Sequence, residues 1–489
     1  MAMPRTSDPV PSPEPPAPGD APAGAGTAQV PSVVVRTAGR RDRGPRAAGI
    51  AWPHIPPRHE ALTLALQFQL ERSQWWPAEM LLAHQLRQAQ NLIAHAAATV
   101  PFYRDRLRPV IGLPRGALTL ERFREIPLLR RSDIQAAGAA LVSRQLPHGH
   151  GTPARAITSG SSGRPIEFLN TAITGLMASA LTLRGHLWHK RDLTRKNVTI
   201  RPPRPHMPAG RRRWSPPPWN GVDVLIDMRQ PIGRIFDQMI AEDPVYLQSH
   251  PYVILGLIQR TEETGRRAER LTEVRTYGET LPPWLREKCR EVWGVPMVDN
   301  YSAEEMGTIA HQCPETTGLH VQAENVLLEV LDRDGAPCRP GETGRVVVTA
   351  LHNFATPFIR EELGDLATLG HSCACGRGLP PLERVLGRER NLVVLPTGET
   401  VFPELYREFA TIPAVRQFQL TQTTLERIEV KLAVARPLTA GEEATIRGFI
   451  RQAFGYDFDL PFDYVEEIPR EASGKYQDFR SRLPQAGGA

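Results

Sequence analysis

The sequence predicts an α/β protein with a large multi-layer α/β N-terminal domain and a small α+β C-terminal domain. At 489 residues the chain is too long for one simple hydrophobic core. Amphipathic helix patterns alternate with short apolar strand patterns along most of its length, which is typical of α/β layers. After residues 388–391 a separate run of strand, strand and helix patterns begins. We therefore expect a domain boundary there.

The N-terminal third begins with a tail and continues with helices. Residues 1–56 are rich in Pro, Ala and Gly and hold few large apolar residues, so a disordered tail is expected. A helical region begins near His59 and is split by Pro77, which suits the first turn of a helix. In the second helix apolar residues recur at steps of four and three, from Leu82 to Ala96. Pro101 ends it.

The remaining elements follow from apolar runs and periodicity. Residues 201–220 are expected to be irregular, and residues 244–251 to form a turn. Together the patterns indicate a tail at 1–56, one domain at 57–387 and a second at 388–489. Further helices are predicted at 171–190, 231–242, 251–264, 282–293 and 440–454, and strands at 197–200, 222–226, 272–277, 295–300, 326–331, 345–349, 417–422 and 428–433.

Charge and composition exclude several classes of protein. The net charge is +6, but residues 1–50 carry +2 and residues 201–213 carry +5, so the remainder is near neutral. No basic face for nucleic acid is expected. No signal peptide is visible, and the longest uncharged apolar run is too short to span a bilayer. Five unevenly spaced cysteines do not suggest a disulfide framework, so a cytoplasmic protein without membrane or nucleic-acid partners is expected.

The most informative run is AITSGSSGRP at residues 156–165. Glycines let backbone N–H groups approach a ligand closely, and the Thr and Ser hydroxyls add donors. Such a loop suits a polyphosphate. It is not a Walker loop, because no Lys-Ser or Lys-Thr follows its second glycine. A flexible Ser/Gly linker is the alternative interpretation.

Four further stretches carry suitable chemical groups. They are YGET at 277–280, DNYSAEEMG at 299–307, PFIREELGD at 357–365 followed by Gly387 and Arg388, and IPREASGK at 468–475. In order and spacing, together with the glycine loop, they resemble the adenylate-forming superfamily of acyl-CoA synthetases and adenylation domains. The closer resemblance is to the phenylacetate–CoA ligase-like branch, through VPFYR at 100–104, LHNFATP at 351–357 and CACGR at 373–377. It covers roughly residues 59–483.

The resemblance implies a two-step reaction. A carboxylate attacks the α-phosphate of ATP, giving an acyl-adenylate and pyrophosphate, and a thiol, usually that of coenzyme A, then displaces AMP. Positive charge and donors aimed at the phosphorus centre are needed, because crowded phosphate oxygens repel the attacking anion. The implied cofactors are ATP and Mg²⁺, with coenzyme A as co-substrate and a small-molecule carboxylic acid as partner. A homodimer is left open.

The roles carry over residue by residue as implications of the resemblance. Lys475 is expected to bridge the carboxylate and the α-phosphate from a mobile C-terminal domain. Only five lysines occur against 54 arginines, which supports a need for a compact ammonium there. The other expected roles are phosphate binding by Thr158, Ser159, Gly160, Ser161, Ser162 and Gly163, adenine framing by Gly278, Glu279, Asn300 and Tyr301, ribose binding by Asp365 and Arg388, and Mg²⁺ binding by Glu305.

The acid pocket is expected between the segment 244–251, the YGET turn and the loop 300–303. A flat apolar pocket with a few polar groups suits an aromatic acid. Two positions depart from the superfamily pattern: Glu304 where Thr or Ser is common, and Glu361 where Tyr is common. An extra carboxylate near phosphates is unfavourable unless it points away or binds a cation. The expected pocket residues are Tyr246, Ser249, His250, Tyr277, Ser302 and Ala303.

The cysteines suggest a second site. Cys313, His320, Cys373 and Cys375 form a sufficient set of three thiols and one imidazole for structural Zn²⁺. Relatives in the branch carry a similar zinc-binding cluster. Buried free cysteines are the alternative, and His311 competes with His320 as the imidazole ligand. Cys289 and Cys338 are expected to be ordinary cysteines.

Three alternatives to coenzyme A ligation stay open at the sequence level. The acyl-adenylate could pass to an amine or to a carrier-protein thiol. The enzyme could instead transfer the nucleotide to a cofactor, or activate nitrite to diazotise an aryl amine. A non-enzymatic binding protein is the third alternative, and the presence of Glu305, Asp365 and Lys475 argues against it.

Overall fold

The computed structural model describes most of the chain after the N-terminal tail. The described residues are 50, 52–158, 165–203, 209–215, 219–401, 403, 405, 408–409, 411–469 and 476–483. Ser159 to Gly163 of the predicted phosphate loop, and Lys475, therefore lie outside the described residues. Most of the predicted tail also lies outside them.

The predicted helices are confirmed to within about two residues at each end. Several begin after proline: Pro57, Pro77, Pro231 and Pro282 occupy the position before the first helical residue. Among the helices described here, none combines the length and the apolar character that a membrane crossing requires. These helices are α1 (Arg58–Ser73), α2 (Ala78–Thr99), α3 (Tyr103–Arg106), α4 (Leu120–Arg124), α5 (Arg131–Ala137), α6 (Ala172–Trp188), α7 (Ile232–Glu242), α8 (Pro251–Thr264), α9 (Pro283–Trp293) and α10 (Ala440–Phe454), with 3₁₀ turns at Gly138–Leu141 and Glu389–Asn391.

The predicted strands are all present, and further strands accompany them. The described strands are β1 (Ala154–Ile157), β2 (Glu167–Asn170), β3 (Asn197–Arg201), β4 (Gly210–Arg213), β5 (Val222–Asp227), β6 (Tyr246–Ser249), β7 (Glu273–Tyr277), β8 (Met297–Ala303), β9 (Gly307–Gln312), β10 (Leu319–Val321), β11 (Val326–Leu331), β12 (Thr343–Ala350), β13 (Glu361–Leu369), β14 (Pro381–Arg388), β15 (Val393–Val394), β16 (Thr400–Val401), β17 (Val415–Thr424), β18 (Arg427–Val434), β19 (Phe462–Val465) and β20 (Phe479–Ser481).

One large sheet organises the N-terminal part. Its strand order is β11-β12-β13-β14-β10-β9-β8-β7-β6-β3-β5-β4. The five strands from β8 to β5 run parallel, as expected where helices connect successive strands. The strands on the β9 side of β8 pair antiparallel. The confirmed α/β class thus combines a parallel and an antiparallel half in one sheet.

Separate hydrophobic clusters pack against the two halves. On the parallel half, α7, α8 and α9 bury residues such as Phe236, Leu257 and Leu285 against the strands. On the antiparallel half, α2 buries Leu92 with strand residues such as Val348. Apolar burial of this kind stabilises the fold by roughly 25 cal/mol per Å² removed from water.

A smaller α+β unit follows the large sheet. Its four-stranded sheet has the order β19-β18-β17-β20, and α10 covers it. The helix begins with a capping box, in which the Thr439 hydroxyl accepts from Glu442 N and the Glu442 carboxylate accepts from Thr439 N. Ile446, Ile450 and Phe454 form its buried face. This matches the small α+β unit that the sequence predicts, while the exact boundary at residue 388 stays a prediction.

Two predictions about connecting segments are wrong. Residues 201–220 are not wholly irregular, because β4 pairs with β5 at the sheet edge. Its arginines are neutralised: Arg212 lies 2.6 Å from the buried Asp223, and Arg211 lies 2.7 Å from Glu242. Residues 244–251 do not form a turn, because they contain β6, which is paired on both sides with β3 and β7.

The sequence prediction also omits β13 and β14. Their strand pattern is obscured by charged residues, which the fold places in contacts or in the candidate site. Glu362 in β13, for example, lies 2.5 Å from Arg345 of the neighbouring β12. Charged side chains that are paired across strands remove the apolar alternation by which a strand is recognised.

Candidate functional site

The candidate site lies beyond the carboxyl ends of the parallel strands β6, β7 and β8. Ligands of open α/β sheets bind at such edges. The register pairs Ser249 with Thr276, and Tyr277 with Asn300. Three of the predicted stretches are therefore brought together, although they are spread over more than fifty residues of sequence.

His250 and Glu279 form the first part of the site. His250 is buried, its Nδ1 lies 3.1 Å from Glu279 Oε1, and its ring packs at 4.9 Å on that of Tyr277. Gly278 has φ +77°, and a Cβ there would lie 3.4 Å from His250 Cε1. That distance is an ordinary van der Waals contact, so glycine is favoured at this position by the positive φ of the turn and not by the approach of the histidine ring.

Tyr301, Asp365 and Arg388 form a second group, which brings the two residues predicted to bind ribose together with one predicted to frame adenine. The Tyr301 hydroxyl donates to Asp365 Oδ2 at 2.7 Å, and Arg388 Nε lies 3.0 Å from Asp365 Oδ1. The β13–β14 register pairs Asp365 with Arg388 directly. Because each carboxylate oxygen has two lone pairs, Asp365 keeps the capacity to accept ribose hydroxyls. Burial and the neighbouring Asp365 carboxylate raise the pKa of Tyr301 well above its usual value, so Tyr301 is a neutral donor.

Two further carboxyl groups lie close to this group. Burial raises the pKa of Glu305, while the neighbouring Arg388 and Arg131 oppose the shift. Glu361 is 3% exposed, and its Oε2 has no hydrogen-bond partner among the described residues. Burial, followed by the charge of Glu305, raises the pKa of Glu361 well above its usual range. The extra carboxylate noted in the sequence therefore faces the site.

The fold dictates why Glu361 is buried. The preceding Arg360 has φ +53°, and its guanidinium lies 2.9 Å from the buried Glu329 and 2.6 Å from the carbonyl oxygen of Ile126. The following Glu362 is paired with Arg345. Since side chains alternate along a strand, Glu361 is directed away from both neighbours.

Arg131 is a site residue that the sequence analysis missed. It occupies the first position of α5, and its pKa is lowered by burial while Glu305 and Glu361 oppose the shift. It lies outside every recognised motif. No signal in one sequence distinguishes it from the other 53 arginines.

The structure does not bring all the expected pocket residues together. Tyr246 lies at the opposite end of β6, where its hydroxyl accepts from Asp192 N at 2.7 Å and its ring packs on Trp214. Its placement in the acid pocket is therefore corrected. Ser249 is fully buried, and its hydroxyl donates to Ile200 O at 3.0 Å.

The remaining expected residues stay at the candidate site. Ser302 and Ala303 are partly buried at the end of β8, where they pair with β9. Asn300 contacts His311 Nδ1 through its side-chain amide at 2.7 Å. These residues line the carboxyl edge that also carries Tyr277 and Tyr301.

Only the first residue of the predicted phosphate loop is described. Thr158 N donates to Ile166 O at 2.9 Å, and the Thr158 hydroxyl accepts from Ile166 N at 3.0 Å. These bonds close the loop at its base, next to the β1–β2 hairpin. Ser159, Gly160, Ser161, Ser162 and Gly163 lie outside the described residues, as does Lys475, so their roles stay predictions.

The four predicted zinc ligands meet in one cluster. The ligand atoms of Cys313, His320, Cys373 and Cys375 all lie within 4.8 Å of one another. His320 Nε2 faces Cys375 Sγ at 3.3 Å, and its Nδ1 lies 3.3 Å from Leu379 O. A carbonyl on the second ring nitrogen orients a ligating imidazole. Three thiols and one imidazole at this separation fit a tetrahedral Zn²⁺ site.

The alternative imidazole, His311, is excluded by its own contacts. Its Nε2 lies 2.9 Å from Leu181 O, and its Nδ1 contacts Asn300. Burial lowers its pKa to about 3. Cys289 and Cys338 are buried away from the cluster, as the sequence predicts.

Comparisons with known proteins agree with the motifs. Residues 396–480 match the family described as CapK C-terminal domain. Phenylacetate-coenzyme A ligase of Escherichia coli (strain K12) is 31% identical over 174 residues, which are 34% of this chain and 39% of that ligase. 2-Succinylbenzoate–CoA ligase of Bacillus subtilis (strain 168) is 23% identical over 282 residues, which are 54% of this chain and 56% of that ligase. The matches thus span about half or less of these curated relatives.

The fold is also that of a solved ligase. 2-Hydroxyisobutyryl-CoA ligase in the postadenylation state superposes with a TM-score of 0.67 at 18% identity, over 84% of this chain and 90% of that one. At this identity the likeness concerns the fold. The partial sequence similarity to two CoA ligases and the likeness of the fold to a third agree with the resemblance to the phenylacetate–CoA ligase-like branch of the adenylate-forming superfamily.

Proposed function

We propose that this protein activates a carboxylic acid with ATP to an acyl-adenylate and transfers the acyl group to coenzyme A. The observation that carries the proposal is the group formed by Tyr301, Asp365 and Arg388 beside Glu305. At this sheet edge, which suits ligands, Asp365 can accept hydrogen bonds from ribose hydroxyls. Tyr301 supplies a neutral phenol and Arg388 a positive charge beside it. The similarity to two CoA ligases supports the same reaction class.

Each residue has a physical task in this proposal. Asp365 accepts hydrogen bonds from the ribose, and Arg388 and Tyr301 hold its two oxygens in place. Lys475 brings positive charge to the reacting carboxylate and phosphate, and such charge stabilisation is the main source of rate enhancement in phosphoryl chemistry. Loop 158–163 binds the terminal phosphates through backbone N–H groups. Residues 388–489 form the mobile domain, with a hinge near residues 390–391.

A divalent cation fits the carboxyl pair of the site. Glu305 and Glu361 are both withdrawn from solvent, and the charge of Glu305 raises the pKa of Glu361, which disfavours a second negative charge there unless a cation lies nearby. Oxygen ligands of this kind suit Mg²⁺, which would be held by Glu305 and would neutralise phosphate charge when bound. Glu361 makes this pocket more acidic than a single carboxylate would.

The acid is proposed to be aromatic. The rings of His250 and Tyr277 pack against each other at the carboxyl edge, and Tyr301 lies on the neighbouring strand. A pocket bordered by rings with few polar groups favours a flat apolar acid. Removing Tyr246 from the predicted set does not alter this, because Tyr246 lies at the far end of β6.

The function is tested by assaying purified protein with ATP, Mg²⁺ and a panel of benzoates and phenylacetates. We expect acid-dependent pyrophosphate release and, after addition of coenzyme A, a thioester identified by mass spectrometry. Pyrophosphate without thioester would redirect the proposal to another acceptor, such as an amine or a carrier thiol. Absence of pyrophosphate with every acid would contradict carboxylate activation, and nitrite with an aryl amine would then be tested.

The cysteine cluster is proposed to hold a structural Zn²⁺. It joins Cys313 and His320, at the β9–β10 connection, to the segment between β13 and β14, so the metal would fasten two chain segments together. Metal analysis of purified protein is expected to find about one Zn²⁺ per chain, the number for one closed tetrahedral site. Cys375→Ser is expected to lose the zinc and lower the melting temperature.

Cys338→Ser serves as the matched control for the zinc prediction. Cys338 is buried but lies outside the cluster, so this variant is expected to keep its zinc. Protein that carries no zinc, with wild-type stability in Cys375→Ser, would favour the interpretation of free buried cysteines.

A further inference from the structure

Tyr476, the residue that follows Lys475 in the chain, contacts helix α8, which packs against the large sheet. The ring of Tyr476 stacks on the ring of Tyr252, with centroids 3.6 Å apart and planes 15° apart. Tyr252 lies in the first turn of α8, close after His250 of the candidate site. The contact therefore joins the chain segment of the expected catalytic lysine to the edge of the site.

A shared carboxylate reinforces the stack. Glu279 Oε1 accepts from Tyr476 N at 3.2 Å, and Glu279 Oε2 accepts from Tyr252 N at 3.4 Å. The same Oε1 lies 3.1 Å from His250 Nδ1. Backbone groups of α8 and of the C-terminal unit thus meet on one side chain. Glu279, expected to frame adenine, holds its carboxylate against these partners.

Tyr476 is also attached firmly to the small unit. Its hydroxyl donates to Phe418 O in β17, and it shares a small buried cluster with Ala433 and Ile468. Tyr252 packs against that cluster from the other side. Tyr476 consequently connects β17 to α8, and a change at Tyr252 acts on the position of the small unit.

We infer that Tyr252 is a positioning residue for Lys475 in the adenylation step. This inference rests on the proposed function. Tyr476 directly follows Lys475 in the chain, so we expect a contact that holds the Tyr476 ring and N–H to influence the reach of the lysine in the adenylation step. The second step requires Lys475 to leave, because a domain movement admits the nucleophile. The Tyr252–Tyr476 contact therefore promotes the first half-reaction and not the second.

The variants Tyr252→Ala and Tyr252→Phe test the inference in the full-length protein. Benzoate and phenylacetate serve as acid probes for pyrophosphate release, and benzoyl-adenylate with coenzyme A isolates the second step. We expect Tyr252→Ala to slow pyrophosphate release by roughly 2- to 13-fold, the factor that one aromatic pair supplies. Thioester formation from the preformed adenylate is expected to stay at the wild-type rate or rise. Tyr252→Phe keeps the stacked ring and the N–H that donates to Glu279, so it is expected to slow pyrophosphate release less than Tyr252→Ala does.

Hydrogen–deuterium exchange provides a readout independent of turnover. The Tyr476 amide should be protected in wild type and in Tyr252→Phe, and should exchange faster in Tyr252→Ala because its docking is lost. Tyr464→Ala is the matched control, since Tyr464 is an exposed ring of the same unit on β19.

The outcomes separate this inference from the proposed function. Equal exchange at Tyr476 in all variants would overturn the docking contact, even if no probe acid were activated. Faster exchange in Tyr252→Ala with unchanged pyrophosphate release would overturn the positioning role. Equal slowing of both half-reactions would overturn it as well, because it would indicate a general structural defect. Wild-type protein that activates no acid would contradict the proposed function. The hydrogen–deuterium exchange of the Tyr476 amide would still test the Tyr252–Tyr476 contact in that case.

Discussion

Replacing Lys475 by alanine is expected to lower acid-dependent pyrophosphate release by roughly 100- to 1,000-fold, the usual cost of removing one group that stabilises transition-state charge. The ammonium is needed where a carboxylate approaches a crowded phosphate, and no other lysine lies within forty residues of it in the chain. The measurement is steady-state pyrophosphate release, combined with thioester formation from a preformed acyl-adenylate. The second reaction is expected to persist, because it does not require charge neutralisation at phosphorus.

Lys431→Ala is the matched control for Lys475. Lys431 belongs to the same C-terminal unit but lies on β18, where it pairs with Asp463 at 3.3 Å on the surface. This variant should retain both half-reactions, because an exposed ion pair contributes about 1 kcal/mol or less to stability. Undiminished pyrophosphate release in a folded Lys475→Ala protein would remove Lys475 from the adenylation step. A parallel loss in Lys431→Ala would point to general damage in the small unit.

Glu305→Gln is expected to raise the Mg²⁺ concentration for half-maximal pyrophosphate release by on the order of 100-fold, as for the loss of a metal-binding carboxylate. The amide keeps the shape of the side chain but carries no charge. Glu305 is partly buried beside Arg388 and Arg131, so its replacement alters the charge at the site without opening a cavity. The measurement is the rate as a function of Mg²⁺ concentration at saturating ATP and acid.

Glu304→Gln provides the comparison one residue away. Glu304 is exposed and was not assigned a metal-binding role, so the Mg²⁺ dependence should change little. Equal shifts in the two variants would mean that long-range charge, and not a direct ligand, sets the Mg²⁺ requirement. Unchanged Mg²⁺ dependence in Glu305→Gln would contradict the role given to Glu305.

The helices and the apolar strands of this protein could be predicted from the sequence, because their apolar residues recur with helical periodicity or form short continuous runs. The buried strand β11 is largely an apolar run, and α2 repeats its apolar residues along one face. Strand β13 was not readable, because Glu361, Glu362 and Asp365 interrupt the pattern. Glu362 pairs with Arg345, and Asp365 pairs with Arg388, while Glu361 faces the candidate site. A local sequence pattern does not report such contacts.

The same limit applies to the site. The sequence indicated the stretches that meet at the carboxyl edge and the four Cys and His residues that the structure brings together, because residue type and motif order carry that information. It misplaced Tyr246, because residues 244–251 were interpreted as a turn, which would bring both ends of the segment to the acid pocket. In the structure the segment contains strand β6, and Tyr246 lies at the end of that strand away from the site. It also left His311 open against His320. The β9–β10 register places these two histidines opposite each other, and only the contacts of His311 with Leu181 O and Asn300 exclude it from the cluster.

The sequence by itself predicted the fold class, which the structure confirms, and the resemblance to adenylate-forming enzymes, with which the comparisons agree. It also named the carboxylates and thiols of the proposed chemistry, whose roles stay predictions. The tertiary structure alone decided that Glu361 is buried without a partner for its Oε2 in the described part of the chain, and that Tyr252 meets Tyr476. The physical reason is distance along the chain. Motifs record which groups are present, while burial and contact depend on packing between segments more than two hundred residues apart, as for Tyr252 and Tyr476.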